Sequence, residues 1–115
     1  SGGQISENTL SCSGGQAEQF ISSVNIDLAL MAPSGFSLKN GFTSGSQSES
    51  TLKQTVIAKA AKVVMLMDHT KLGRSLPFTF ASLADIDVLI CDAPLPDDVA
   101  AQAAASNVEC IVAEM

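Results

Sequence analysis

The chain has 115 residues, of which 46% are apolar and 16% charged, and its formal net charge is −6. This length is typical of one domain, and the apolar fraction is too high for a chain that stays disordered. Its 6 Lys and Arg are scattered among 12 acids. Because binding to nucleic-acid phosphates requires clustered basic side chains, the composition excludes a domain that contacts DNA by itself.

The cysteines point to a reducing environment. Cys12, Cys91 and Cys110 show neither zinc-site spacing nor a disulfide framework. Cys91 and Cys110 lie in apolar runs, so we expect both to be small buried hydrophobes. No apolar stretch reaches transmembrane length, and the Gly/Ser-rich start has no signal-peptide pattern. We therefore expect a cytoplasmic protein without a membrane partner, a metal or a cofactor.

The first half of the chain predicts few regular elements. Asn8–Ser13 suits a short strand, and Ala17–Ile21 suits a short helix. Ile26–Ala32 is a compact apolar strand. The Gly- and Ser-rich stretch Pro33–Ser48 has no helical period, so we interpret it as one long loop, and loops of that size are usually functional.

A helix is predicted after this loop. Ser46 and Glu49 have the spacing of a capping box, in which a Ser side chain and a Glu side chain bond each other's backbone N–H. One face of the helix is predicted to be apolar, with Leu52, Val56, Ile57, Ala60 and Ala61. The opposite face is predicted to be polar, with Lys53, Gln54 and Lys59.

The second half predicts alternating strands and helices. Pro77 suits the edge of a sheet, so the extended piece around it is placed there. The remaining pattern implies βαβ units, and so an α/β fold with a mainly parallel sheet and flanking helices. The predicted elements are the strand Val63–Met67, the extended piece Leu76–Phe80, a turn at Ser82–Asp85, the strand Asp87–Cys91, the helix Asp97–Ser106 and the strand Val108–Ala113.

The strand Val63–Met67 is followed directly by charged residues. Asp68 and Lys71 come at its carboxyl end, where ligands of open α/β sheets bind. A carboxylate accepts bonds from hydroxyls and an ammonium attracts a phosphate dianion, so the pair suits a phosphorylated polyol. The alternative is a surface ion pair of little energetic value.

Several motifs together resemble the C-terminal effector-binding domain of the DeoR family of bacterial transcriptional repressors. The most specific is Asp68–Arg74 (Asp-His-Thr-Lys-Leu-Gly-Arg), which is similar to the family's Asp-Ser-Ser-Lys-Phe-Gly-Arg. The other motifs follow the family's order and spacing. They are Gly2-Gly3, the stretch from Gly35 to Thr43, Glu49 with Leu52-Lys53, and the run from Asp85 to Asp92.

The resemblance implies a fold related to ribose-5-phosphate isomerase and the CoA-transferase superfamily, and a phosphorylated sugar as effector. It also implies a homo-oligomer that contacts DNA through a helix-turn-helix domain. The family's domain begins with a strand, a Gly/Ser/Thr-rich loop and a helix that do not precede Ser1. We therefore expect residues 1–115 to be an N-terminally truncated effector domain, with those parts and the DNA-binding domain upstream.

The candidate ligand-binding residues have alternative roles. The loop residues could instead form a flexible surface loop, and Glu49 is favoured as a helix cap over a catalytic-type carboxylate. His69 is interpreted as a solvated turn residue. The acids Asp85, Asp87 and Asp92, two of which flank a buried strand, are interpreted as end caps rather than a metal site. The candidates are Asp68, Lys71, Gly35, Gly41, Thr43, Ser44, Glu49 and Arg74.

The function that follows is an effector-binding domain of a repressor of sugar metabolism, without catalysis. The rival is a sugar-phosphate isomerase or related transferase, with Glu49 or Asp68 as base. A third alternative is a domain that serves only for dimerisation. The sequence upstream of Ser1 would discriminate best among them.

Overall fold

The computed structural model describes residues 24–114. The predicted strand Asn8–Ser13 and helix Ala17–Ile21 lie outside this range. Within it, no helix is both long and apolar enough to cross a membrane. The elements in chain order are β1 (Ile26–Met31), β2 (Gly35–Ser37), β3 (Gly41–Ser44), α1 (Gln47–Lys59), β4 (Ala60–Met67), a 3₁₀ turn (His69–Lys71), β5 (Phe78–Ala81), a second 3₁₀ turn (Leu83–Asp85), β6 (Val88–Cys91), α2 (Asp97–Ala105) and β7 (Glu109–Val112).

The predicted parallel sheet is present, which confirms the α/β class. It has four strands in the order β1-β4-β6-β7, and each neighbouring pair is parallel. In a parallel sheet the carboxyl ends of neighbouring strands lie at one edge. The residues that follow β1, β4 and β6 therefore meet there.

The prediction of one long loop over Pro33–Ser48 was wrong. The segment contains β2 and β3, which form an antiparallel pair, and β3 pairs in turn with β5. Two short strands escaped detection because each begins with Gly and spans only a few residues. Their alternation places Phe36 and Phe42 on one buried face, opposite each other in the pair.

The link between β4 and β6 also departs from a simple βαβ unit. It contains β5, which joins the second sheet instead of forming a crossover helix. β5 lies at the edge of that sheet, as predicted from Pro77, which directly precedes it. The molecule thus has a parallel sheet and a small antiparallel one, and the chain passes between them four times.

The hydrophobic core contains side chains from both sheets. The Phe42 ring lies 4.7 Å from Phe36 and 6.4 Å from Phe80, measured between centroids. The same buried cluster includes Met65 and Met67 of the central strand β4. The contacts among these rings stabilise the second sheet internally, because tilted aromatic pairs add to the stabilisation from buried area. The shared buried cluster, with Met65 and Met67, packs the second sheet against the first.

The helix α1 is shorter than predicted, and its buried face differs from the predicted one. It ends at Lys59, so Ala60 and Ala61 belong to β4 and not to its apolar face. Lys53 was predicted to face solvent, but the residue is only 7% exposed. The helical pattern is weak in apolar residues, and its period alone did not reveal which face is buried.

The last strand contains Cys110, which was expected to be buried. All four residues of β7, an edge strand of the sheet, are exposed. The prediction that Cys110 is buried was therefore wrong. The same prediction for Cys91 is confirmed, because Cys91 lies in β6 and is 1% exposed.

The turn between β2 and β3 makes a specific demand on Gly41. Its φ is +74°, and a Cβ there would lie 2.5 Å from the carbonyl oxygen of Ala81. Gly73 has a similar φ of +80° but no atom within 4 Å of a Cβ position. The two glycines share the backbone strain that an L-residue would feel and differ in the steric clash.

We predict that Gly41→Ala destabilises the domain more than Gly73→Ala does. Both replacements carry the left-handed strain of about 1–2 kcal/mol, and overpacking adds about 1–3 kcal/mol at Gly41 only. The free energies of unfolding in urea measure the difference. Equal losses for the two variants would contradict the close approach of Ala81.

Candidate functional site

Asp68 organises the carboxyl end of β4. Its side chain caps the 3₁₀ turn His69–Lys71, with Oδ1 accepting from the Thr70 backbone N–H at 3.0 Å and from the Thr70 hydroxyl. Oδ2 lies 3.5 Å from Nζ of Lys71. The two side chains that the sequence singled out are therefore brought together on one turn.

This pair is charged and open to solvent. The Thr70 hydroxyl, more than the Lys71 ammonium, holds the pKa of Asp68 below its ordinary value, so the group is a carboxylate at neutral pH. The Lys71 side chain is 29% exposed and the Asp68 side chain 42% exposed. A ligand could reach both, and so could water, which weakens the ion pair itself.

Asp92 joins this turn to the end of β6. Its Oδ1 accepts from the His69 backbone N–H at 2.7 Å, and His69 Nδ1 lies 3.1 Å from the same oxygen. The backbone bond is the largest cause that lowers the pKa of Asp92. His69 was interpreted as solvated; its side chain is 59% exposed, yet it is also bonded to Asp92. The loops after two neighbouring strands are thus fixed to each other.

Glu49 and Lys53 lie beside the end of β1. The Ser46 hydroxyl accepts from the Glu49 backbone N–H at 3.3 Å, so one half of the predicted capping box is present. The Glu49 carboxylate is 3.3 Å from Lys53 Nζ, which also donates to the carbonyl of Ala32 at 2.8 Å. Lys53 was missed as a site residue, although its spacing from Glu49 was part of the family motif.

Gly35 permits a close contact with the Asp68–Arg74 segment. A Cβ on Gly35 would lie 2.6 Å from the carbonyl oxygen of Arg74. Gly73 donates its backbone N–H to Phe36 at 2.8 Å, directly beside this contact. Gly35 therefore supports the site by close backbone packing. Arg74, at the end of the segment, is an exposed residue.

Thr43 and Ser44 occupy a different place from the one expected. Both are fully buried, and they were predicted to line an open loop. The Thr43 hydroxyl donates to the carbonyl of Gly35 at 3.3 Å and accepts from the Leu76 N–H at 3.0 Å. The Ser44 hydroxyl donates to the carbonyl of Ser46. Direct contact of these hydroxyls with a ligand is inconsistent with this bonding.

Gly41 lies apart from the other candidates. It lines a cavity of about 630 Å³ beside the β2–β3 turn, with Gln102 and Ser106 of the α2 end on the opposite side. Neither Asp68 nor Lys71 lines this cavity. Several polar groups in its wall are already bonded within the protein, among them the hydroxyls of Thr79 and Ser82. The cavity is separate from the strand ends.

The three acids that could have suggested a metal site serve as backbone acceptors. Asp85 accepts from Ser82 at 2.8 Å, Asp87 accepts from Val63 at 2.8 Å, and Asp92 accepts from His69. Among residues 24–114, no group of three or more His, Cys, Asp or Glu side chains is placed to hold a metal ion. Each carboxylate fixes the end of a strand or turn.

The fold is α/β, and paired charged side chains lie at the carboxyl ends of its parallel strands. Residues 1–93 match the family described as the DeoR C terminal sensor domain. The chain belongs to this family.

Curated relatives of this chain are transcription regulators. It is 36% identical over 97 residues to the HTH-type transcriptional regulator GlpR of Haloferax volcanii, covering 84% of this chain and 38% of the relative. It is 32% identical over 91 residues to the HTH-type transcriptional repressor GlcR of Bacillus subtilis, covering 79% and 35%. It is 29% identical over 98 residues to the glycerol-3-phosphate regulon repressor of Escherichia coli, covering 85% and 36%. The chain therefore spans well under half the length of these relatives.

We predict that Thr43→Val destabilises the domain by about 1–3 kcal/mol, because it leaves the Leu76 N–H without its acceptor in a partly buried position. Thr79→Val is the matched control. The Thr79 hydroxyl also bonds one carbonyl but belongs to an exposed residue, so its loss should change the free energy of unfolding by less than about 0.5 kcal/mol. Similar losses of unfolding free energy for the two variants would contradict the role of the Thr43 hydroxyl as a buried hydrogen-bond acceptor.

We predict that Asp92 makes the free energy of unfolding depend on pH in the acidic range. Because its pKa in the folded chain lies below the ordinary value of 3.8, its contribution is present above that value and is lost as the pH falls through the lowered pKa. Asp92→Asn should reduce the free energy of unfolding at pH 7, and the difference from wild type should shrink below about pH 4. Asp27→Asn, which removes an exposed carboxylate on β1, is the control. A difference that is independent of pH would contradict the lowered pKa.

Proposed function

We propose that this chain is the effector-binding domain of a DNA-binding transcriptional repressor of sugar metabolism, and that it senses a phosphorylated sugar. The observation that carries the proposal is the accessible pair of Asp68 and Lys71 at the carboxyl end of β4. Membership in a sensor-domain family supports it. One relative is by name a glycerol-3-phosphate regulon repressor, which supports a phosphorylated polyol as the class of effector.

The two halves of such a ligand would be bound by different side chains. Lys71 would bind the phosphate as a point charge, and the exposed Arg74 would assist it. Asp68 would accept a hydrogen bond from a sugar hydroxyl with the part of its carboxylate that faces solvent. Its bonds to Thr70 keep the carboxylate oriented while it does so.

The remaining candidate residues would either contact the ligand or support the residues that do. Glu49 would provide a second acceptor for hydroxyls, since its side chain is 44% exposed. Gly35 and Thr43 would support the site by holding the Asp68–Arg74 segment in place. The domain would act by binding alone, without catalysis, and relatives that are regulators by name support this role.

The chain would act as one part of a longer regulator. Residues 1–115 would form the effector-binding part, and a helix-turn-helix domain upstream would contact DNA. Homo-oligomerisation would let the ligand alter the spacing of the DNA-binding domains. The net charge of −6 agrees with a domain that leaves DNA contacts to another part of the protein.

We predict that Lys71→Met weakens binding of a sugar phosphate at least tenfold, which is about 1.4 kcal/mol, because it removes the cation that meets the phosphate. Calorimetry on the intact protein would compare glycerol 3-phosphate, fructose 1-phosphate and glucose 6-phosphate with the corresponding free compounds. Lys62→Met, which removes an exposed lysine of β4 away from the carboxyl end, is the matched control and should leave the affinity unchanged.

Three measurements distinguish the rival functions: ligand affinity, isomerase turnover and DNA binding. Equal affinity for a sugar phosphate and its free sugar would contradict the role of Lys71. Isomerase turnover that disappears in Glu49→Gln or Asp68→Asn would replace the regulator by an enzyme. A gel-shift experiment with the intact protein should show DNA binding that the effector relieves.

A further inference from the structure

Lys53 is a buried ammonium with partners from three elements: the end of β1, the helix α1 and the strand β5. Its side chain is 9% exposed. A buried charge is costly unless it is paired and hydrogen-bonded, so such a lysine requires dedicated partners. The helix α1 carries Lys53 toward the core side, one turn after Glu49.

Three groups surround the ammonium. Nζ donates to the carbonyl of Ala32 at 2.8 Å, lies 3.3 Å from Glu49 Oε1, and is 4.8 Å from the centroid of the Phe80 ring. An ammonium has three N–H donors, and a cation over an aromatic face is stabilised by the ring's quadrupole. The carbonyl, the carboxylate and the ring thus account for the surroundings of the charge.

The two partners differ sharply in exposure. Lys53 lies beneath the surface, whereas the Glu49 side chain is 44% exposed. One carboxylate oxygen therefore meets the buried ammonium while the group as a whole stays accessible from solvent. The ion pair with Lys53 thus favours one orientation of the exposed Glu49 carboxylate.

The topology associates the two charged pairs with adjacent ends of the parallel sheet. β1 and β4 are neighbours in parallel register, with Met31 opposite Met65. Ala32 and Asp68 therefore follow the carboxyl ends of adjacent strands. The Glu49–Lys53 pair lies at one of these ends and the Asp68–Lys71 pair at the other.

We propose that Lys53 is a positioning residue of the effector site: it fixes Glu49 as an acceptor for a sugar hydroxyl while Lys71 binds the phosphate. This inference rests on the proposed function. A direct contact between Lys53 and a phosphate is disfavoured, because the ammonium is buried and already has partners. Lys53 would act through Glu49, and the two residues should behave as one unit.

A double-mutant cycle on the intact protein tests this coupling. The variants are Lys53→Met, Glu49→Gln and the double variant, and Met keeps the length of the apolar stem of Lys53. Glycerol 3-phosphate, fructose 1-phosphate and glucose 6-phosphate are tested first on the wild type. The one that the wild type binds is the probe for the variants. Each single variant should weaken binding about tenfold. The double variant should bind no more weakly than Glu49→Gln alone, since residues that act as one unit are not additive.

Lys53→Arg separates charge from volume. It keeps a cation at the position and should bind the probe within about threefold of wild type. If Lys53 only filled space, Lys53→Met would bind like wild type and the bulkier Arg would be the worse replacement. Thermal unfolding identifies any variant that does not fold. If Lys53→Met is one of them, Lys53→Gln, which is neutral but can donate to Ala32, takes its place in the cycle.

The outcomes separate this inference from the proposed function. Wild-type protein that binds none of the phosphorylated probes would overturn both. Binding by the wild type, together with losses that add in the double variant or with a neutral residue at position 53 that binds as wild type, would overturn the role of Lys53 alone.

Discussion

The buried hydroxyl of Thr43 connects the parts of the molecule on which the candidate site depends. It donates to Gly35 in β2 and accepts from Leu76, just beyond the Asp68–Arg74 segment. Because Gly35 also allows the Arg74 backbone to approach, the small antiparallel sheet is fixed against the segment that carries Asp68 and Lys71. The second sheet therefore has a role beyond filling the core, since it sets where the β4 end can lie.

Oppositely charged or bonded pairs line the carboxyl ends of three parallel strands. Glu49 has Lys53 beside β1, Asp68 has Lys71 after β4, and Asp92 has His69 after β6. An acidic chain of this kind would repel a phosphate if its carboxylates were unpaired. The ammonium groups of Lys53 and Lys71 reduce that repulsion while leaving acceptors for hydroxyls. A phosphorylated polyol, which combines an anion with hydroxyl donors, fits such a lining.

The sequence predicted those features that depend on neighbours along the chain. The strands β1, β4 and β6 follow from continuous apolar runs, and the placing of Asp68 with Lys71 follows from a strand end and a three-residue spacing. The role of Lys53 depends on contacts with Ala32 and Phe80, which are far from it in sequence. The strands β2 and β3 are short and begin with Gly, so that only pairing with β5 makes them regular. The exposure of β7 depends on what packs against its two faces, which no local pattern encodes.

The edge strand β1, at the other side of the parallel sheet from β7, affects how the domain behaves in solution. Within residues 24–114, β1 is an edge strand, and its Leu28 and Leu30 are 52% and 57% exposed on the side away from Ala29 and Met31. An open edge with apolar side chains is a template on which another chain can add a strand. The net charge of −6 opposes such contacts by repulsion between copies, and salt screens that repulsion. Colloidal stability of this domain should therefore be best at low ionic strength and dilute concentration.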